Sequence, residues 1–165
     1  MIVFQPKTSD LEREATKFRT LIELCDKFDT PLVLQEFPVM SCKLTSLLLT
    51  YHFLRLWPEI EIFGACGFAK QRRTVSHYWL EVGNIAIDIT GDQYNLIPSK
   101  ELCRSITKNR PFSPIHISPI DSSYLYHLFD VRNRDRYKFG LEEIAEDFKW
   151  RMEISYEKIT SKSLA

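Results

Sequence analysis

An α+β fold is the class this sequence predicts, and three observations carry it. A two-strand hairpin pattern spans 75–90 and turns at Gly83-Asn84, an amphipathic helix pattern opens at Ser41-Cys42, and further helical stripes lie near both ends. Together they predict a helix carrying Cys42 packed on a small antiparallel sheet, with extra N- and C-terminal helices. The chain has 165 residues, 44% of them hydrophobic, which suits one domain with a sizeable core.

In chain order, residues 1–7 form an ordered or fraying arm. Ser9 or Asp10 can cap a helix over 10–28, with Glu12 and Glu14 favourable in its first turn. Leu11, Ala15, Phe18, Ile22 and Cys25 form its stripe, so Cys25 reads as a small buried hydrophobe. Asp29-Thr30-Pro31 breaks that helix, and a short apolar segment follows and ends at Pro38. Leu44, Leu47, Leu48, Tyr51 and Leu54 then mark a helix over 41–56, capped by Ser41 and ended by Pro58. Residues 59–69 read as a strand interrupted near Gly64 or Gly67, and 70–74 as a basic loop. Val75–Val82 and Ile85–Thr90 are hairpin strands, and Gly83 at the first turn position suits type II′.

Residues 91–113 are polar and loop-like, with a short helix near 99–105. Pro114–Ile120 is one more candidate strand, and Ser122 or Ser123 starts a short helix to about 130. Arg132–Lys138 is highly charged and expected to be exposed. Leu141, Ile144, Ala145, Phe148, Met152 and Tyr156 mark a long C-terminal helix. Trp150 and Ile154 fall off that stripe, so this helix either buries a second face or meets a partner. The tail 160–165 is expected to be disordered.

Composition excludes several classes. Lys plus Arg number 22 and Asp plus Glu 22, so the chain lacks the basic excess of a general nucleic-acid binder. No apolar run has the length of a membrane span and no signal-peptide pattern opens the chain. The expectation is a bacterial cytoplasmic protein, or an effector delivered without a cleavable signal. The four cysteines show no C-x-x-C spacing, so neither a metal site nor any cofactor is expected, and free thiols are preferred to disulfides.

Chemistry concentrates in 34–90. A cysteine nucleophile works as a thiolate, and the first turn of a helix favours that anion; Cys42 has this position. A two-residue turn at 83–84 sets Leu80 opposite Ile87 and Val82 opposite Ile85 on an apolar face. His77, Trp79, Glu81, Asp88 and Thr90 share the other face, with His77 and Asp88 as diagonal neighbours within hydrogen-bond reach. If the N-terminal end of helix 41–56 packs on that second face, thiol, imidazole and carboxylate line up as nucleophile, base and orienter. Gln35 can offer an amide to an oxyanion, with the Cys42 N–H as second donor. Trp79 either shields the His–Asp bond from water or simply covers the sheet. Glu81 reads as a surface residue. Singly, such a His is ordinarily a surface polar group and such an Asp a cap; the combination on one face carries the prediction.

The pieces Phe37-Pro38-Val39-Met40-Ser41-Cys42, His77-Tyr78-Trp79-Leu80-Glu81-Val82 and Ile87-Asp88-Ile89-Thr90 resemble the transglutaminase-like branch of the papain-like superfamily. There a Cys begins a helix, a His begins a strand and an Asp lies on the next. Arylamine N-acetyltransferases and bacterial effector deamidases share that order. The resemblance covers about a third of the chain. It implies Cys42 as nucleophile, His77 as base, Asp88 as orienter and a papain-like core. Gln35 matches the oxyanion glutamine of papain-like enzymes only loosely, its distance from the Cys differing by a residue. Met40 stands where relatives often have Gly, and the short Cys–His and His–Asp gaps imply a minimal core.

The expected function is a thiol-dependent hydrolase acting on a protein or peptide substrate, cleaving a peptide bond or a glutamine side-chain amide through a thioester. Acyl transfer to an amine is the alternative within enzymes. An inactive protein-binding module, using the C-terminal helix and 132–138, is the alternative outside them.

Overall fold

Side chains alternating at period two decide where the sheet runs. The structure is a computed structural model and describes residues 3–161. Its strands are β1 (Ile62–Ala69), β2 (Arg72–Val82), β3 (Ile85–Asp88), β4 (His116–Pro119) and β5 (Phe129–Tyr137). They form one antiparallel sheet in the order β4-β3-β2-β1-β5. The described helices are α1 (Thr8–Leu24), α2 (Cys42–Leu56), α3 (Arg104–Thr107), α4 (Tyr124–Leu128) and α5 (Glu146–Thr160). The fold class is therefore α+β. No helix among the described residues is long and apolar enough to cross a membrane.

The hairpin keeps the expected register: Leu80 pairs with Ile87, Glu81 with Ala86 and Val82 with Ile85. Gly83 takes φ +58 and Asn84 does not have a positive φ, as a type II′ turn requires.

Both faces of the sheet are covered. Leu80, Val82, Ile85, Ile87 and Ile89 pack in one core with Phe18 and Ile22 of α1, Leu48 and Phe53 of α2, and Met152 and Ile159 of α5. Helix α2 thus lies on the apolar face, not on the His77 face where it was expected to dock. Apolar burial decides this, because the face carrying Leu80 and Ile87 has the larger surface to remove from water. The His77 face is covered instead by the connection between β3 and β5. That connection contributes Tyr94, Leu102, Ile106, Phe112, Leu125 and Leu128, which pack on Trp79, Ala86 and Phe129.

The covering segment is where sequence and structure differ most. Read as loop-like with a short helix near 99–105, it is two 3₁₀ segments, Gly91–Asn95 and Ser99–Glu101, followed by α3, so helical turns do fall near 99–107. Its polar residues serve its own backbone: Asn95 Nδ2 donates to Phe112 O at 2.8 Å, and Phe112 N–H returns a bond to Asn95 Oδ1 at 2.8 Å. Such bonds let an irregular segment lie against a core without orphaned peptide groups.

Other boundaries move for identifiable reasons. Helix α1 starts at Thr8, with Lys7 rather than Ser9 or Asp10 at the N-cap, and stops at Leu24 because Cys25 is extended. A turn then closes through Phe28 N–H to Asp26 Oδ1 at 3.0 Å and the Thr30 hydroxyl to Asp26 O at 2.7 Å. The basic stretch 70–74 is mostly strand, since β2 begins at Arg72. Strand β1 runs unbroken through Gly64 and Gly67, with a register shift against β5 between Cys66 and Gly67. Charged 132–138 is also mostly strand, the edge strand β5. Its arginines pair across the sheet, Arg134 with Glu81 at 3.1 Å and Arg136 with Glu61, and charge suits an edge that must not pair further. The C-terminal helix opens at Glu146, after Leu141 at φ +48 and Ile144. Trp150 is exposed on it. Of the expected disordered tail, Thr160 ends α5, while residues 162–165 lie outside the described residues.

Candidate active site

Cys42 is the first residue of α2, with Ser41 at the N-cap. The first intrahelical bond runs from Thr45 N–H to Ser41 O at 2.9 Å, so the N–H groups of Cys42 and Lys43 lie ahead of the helical ladder. Ser41 caps through its backbone; its hydroxyl donates to Val39 O at 3.2 Å. Cys42 is part-exposed, whereas His77 and Asp88 are each only 1% exposed. Cys42 is therefore the most exposed residue of the three.

A gap in the sheet lets a helix on one face serve a histidine on the other. The β2–β3 ladder ends at Leu80–Ile87, and β3 stops at Asp88. Antiparallel alternation points the Tyr78 N–H toward the edge that β3 has left. The Cys42 sulfur lies close enough to that N–H and to the His77 ring for both to act on its ionisation. Thiol and imidazole are thus brought near each other at that gap, and not by docking of α2 on the His77 face.

His77 Nε2–H donates to Asp88 Oδ2 at 2.7 Å, the diagonal contact the hairpin register predicts. Asp88 is held from several sides. Tyr124 OH donates to Oδ2 at 2.9 Å, and Thr90 N–H donates to Oδ1 at 3.0 Å. Gly91 allows this crowding, since a Cβ there would stand 2.3 Å from Tyr124 OH and 2.9 Å from Asp88 Oδ2. The imidazole is walled by Tyr94, Phe129 and Trp79, with ring centroids 5.2, 5.6 and 6.0 Å away. Its cross-strand neighbour is Gly67, where a Cβ would come within 2.9 Å of Trp79 and Phe129.

These contacts set the protonation states. Burial works against charge on His77, but the Asp88 carboxylate and the Cys42 sulfur outweigh it and push the ring up to about 10. Burial raises the Cys42 thiol, yet the bond and charge of His77 and the Tyr78 N–H bring it below its ordinary value. Asp88 is buried, which raises it, but His77, Thr90 N–H and Tyr124 OH hold it below the usual carboxylate range. Cys66 moves the opposite way, raised by burial and by Cys42. The arrangement favours a thiolate–imidazolium pair.

The remaining expected site residues separate. Trp79 is fully buried beside His77, and its Nε1–H donates to Glu81 Oε2 at 3.1 Å. Glu81 is not a surface residue: it is 3% exposed and also accepts from Arg134 and the Tyr126 hydroxyl. The layer over 91–128 buries it. Gln35 lies exposed in the turns ahead of α2. The glutamine set against the imidazole is Gln93, whose Nε2 is 3.2 Å from His77 Nδ1. Nothing in the spacing of Gln93, Tyr94 or Tyr124 announces them; they arrive through the covering segment. Arg19 is a further unannounced group. From α1 it donates to Asp92 Oδ1 and Oδ2 at 2.8 Å each and to Ile89 O at 2.6 Å, fixing the chain on either side of Thr90 and Gly91. Among the described residues, no cluster of three His, Cys, Asp or Glu side chains could hold a metal ion.

A cleft of about 390 Å³ is lined by Lys43 and Leu47 of α2, Tyr137, Ile144 and Phe148, with Asp135 and Glu143; Cys42 is not among its lining residues. The chain matches no protein-family model, no curated protein and no solved structure.

Proposed function

We propose that this protein is a thiol-dependent amide hydrolase with Cys42 as nucleophile, His77 as general acid–base and Asp88 as its orienter, on a papain-like, transglutaminase-like core. The observation that carries the reading is a part-exposed helix-start cysteine whose ionisation is coupled to a buried imidazole, itself 2.7 Å from a carboxylate. In this scheme the thiolate attacks the amide carbon. The N–H groups at the start of α2 face the developing oxyanion. His77 gives its Nδ1 proton to the leaving amine, and a thioester on Cys42 results. His77 then takes a proton from water, which attacks the thioester, releases the acid and restores the thiol. Peptide or protein substrates are the proposed class, and the cleft that includes Lys43, the residue after the nucleophile, offers apolar and charged side chains of both signs to them.

The test uses p-nitrophenyl acetate as a generic acyl donor. The expected result is a nitrophenolate burst with acetylation at Cys42, followed by turnover, and loss of both in Cys42→Ala. Acetyl groups spread over Cys42, Cys66 and Cys103 without a burst would contradict the proposal. Adding a primary amine separates hydrolysis from transfer: turnover unchanged by the amine supports hydrolysis, and acyl-amide product in strong excess over acetate assigns acyl transfer instead.

A further inference from the structure

Gln93 is a buried polar side chain, 3% exposed, that the scheme above leaves without a role. Its Oε1 accepts the Met40 N–H at 3.3 Å, and its Nε2 lies 3.2 Å from His77 Nδ1. A peptide N–H can only donate, so the carbonyl end of the amide must face Met40. The NH₂ end is then directed at Nδ1, where it too can only donate. Flipping the amide would set two donors against each other at Met40. A donor at Nδ1 requires the ring lone pair there, so the ring proton belongs on Nε2, facing Asp88. Met40, two residues before the thiol, takes φ +59, a region costly for a residue with a side chain. Gln93 thus ties a strained entry to α2 to the base on β2.

We propose that Gln93 is a positioning residue that biases His77 toward its neutral, Nε2–H form and so raises the pH at which Cys42 ionises. The inference depends on Cys42 being the nucleophile. When the S–H bond breaks, the proton goes to Nδ1 and the electron pair stays on sulfur. The Gln93 N–H then loses its acceptor, so the amide weights the equilibrium toward the neutral pair. It opposes the pull of Asp88 without overcoming it, so the ion pair forms at a higher pH than it would without Gln93.

The ionisable groups facing the pair do not obscure this titration. Asp88 on β3 is held low, while Tyr94 in the 3₁₀ segment and Tyr124 on α4 are pushed far up by burial. Cys66 on β1 is raised by burial, and His116 on β4, near Asp88, is lowered by burial. Lys43 adjoins the thiol on α2, and Asp135 on β5 lies beyond Cys66.

The experiment reads the pH midpoint of iodoacetamide alkylation at Cys42, by peptide mass spectrometry, in the wild-type chain, Gln93→Leu and Gln93→Glu. Losing one donor at Nδ1 should lower the midpoint by about one pH unit in Gln93→Leu, a tenfold gain in the thiolate-to-thiol ratio. Gln93→Glu keeps an acceptor for Met40 and offers a second to the protonated ring, so its midpoint should fall further. Nitrogen-15 titration of the His77 ring in Cys42→Ala, with and without Gln93→Leu, gives a second check: the ring should lose its Nδ1 proton at a lower pH when Gln93 is present. Equal midpoints in all three proteins, or an Nδ1 titration in Cys42→Ala that Gln93→Leu leaves unmoved, overturns the role of Gln93 while leaving Cys42 as nucleophile. A wild-type midpoint in the ordinary range of about 8.5 overturns the nucleophile itself, and the role of Gln93 with it.

Discussion

The tightest constraint on a single residue falls on Asp88, whose two oxygens meet His77, Tyr124 and Thr90. Asp88→Asn keeps the shape but can no longer hold the imidazolium. Acyl-enzyme formation should fall between about 10²- and 10⁴-fold, measured as burst rate with p-nitrophenyl acetate. An unchanged burst rate would remove Asp88 from the scheme. Gly67 tests the wall of the site. A methyl there would sit 2.9 Å from Trp79 and Phe129, so Gly67→Ala should destabilise the fold by about 1–3 kcal/mol in urea denaturation. Of these residues, Cys42, His77 and Asp88 were legible in the sequence because a helix start and a hairpin register are local properties. Gln93, Tyr94 and Tyr124 were not. They reach the site through a long irregular connection whose path no period records.

Among the elements, β5 and α1 show how charge replaces apolar pattern. Arg134 of β5 meets Glu81 of β2 at 3.1 Å, and Glu81 also accepts the Trp79 indole N–H at 3.1 Å. Glu81→Ala leaves that buried donor unpaired and should cost about 2 kcal/mol. Hydrogen exchange should quicken along 129–137; protection unchanged there would mean that backbone pairing alone holds the edge. Arg19 of α1, 6% exposed, clamps Asp92 and the Ile89 carbonyl. Arg19→Met should cost about 3 kcal/mol, the lower end for a broken buried pair, because Asp92 keeps 18% of its side chain in water. The sequence marked α1 as amphipathic without showing that one of its arginines belongs to the interior. Likewise the charges of 132–138 hid a strand, since cross-strand pairing cannot be read from one strand alone.

At the scale of the whole molecule, the sheet is a partition with a helical layer on one side and an irregular layer on the other. The thiol belongs to the first layer, the His–Asp pair faces the second, and the early end of β3 lets them meet. This placement couples stability to pH. His77 is raised from 6.5 to about 10, so its contribution is complete below pH 6.5 and is lost as pH rises through about 10. Asp88 is lowered from 3.8, so its contribution is present above that value and lost as pH falls through its folded pKa. The stability gap between wild type and His77→Asn should accordingly be larger at pH 5.5 than near pH 10, and a constant gap would contradict the buried ion pair. The fold class was legible because its parts are locally patterned; which layer covers which face was decided by long-range apolar burial.

The most direct measurement is the rate of iodoacetamide alkylation at each of the four cysteines, followed against pH in wild type and in His77→Ala. Cys42 should react first, with a midpoint below the ordinary thiol range that returns to that range in His77→Ala. Reaction of Cys42 no faster than Cys103, with the same midpoint in both proteins, would contradict a nucleophile activated by His77.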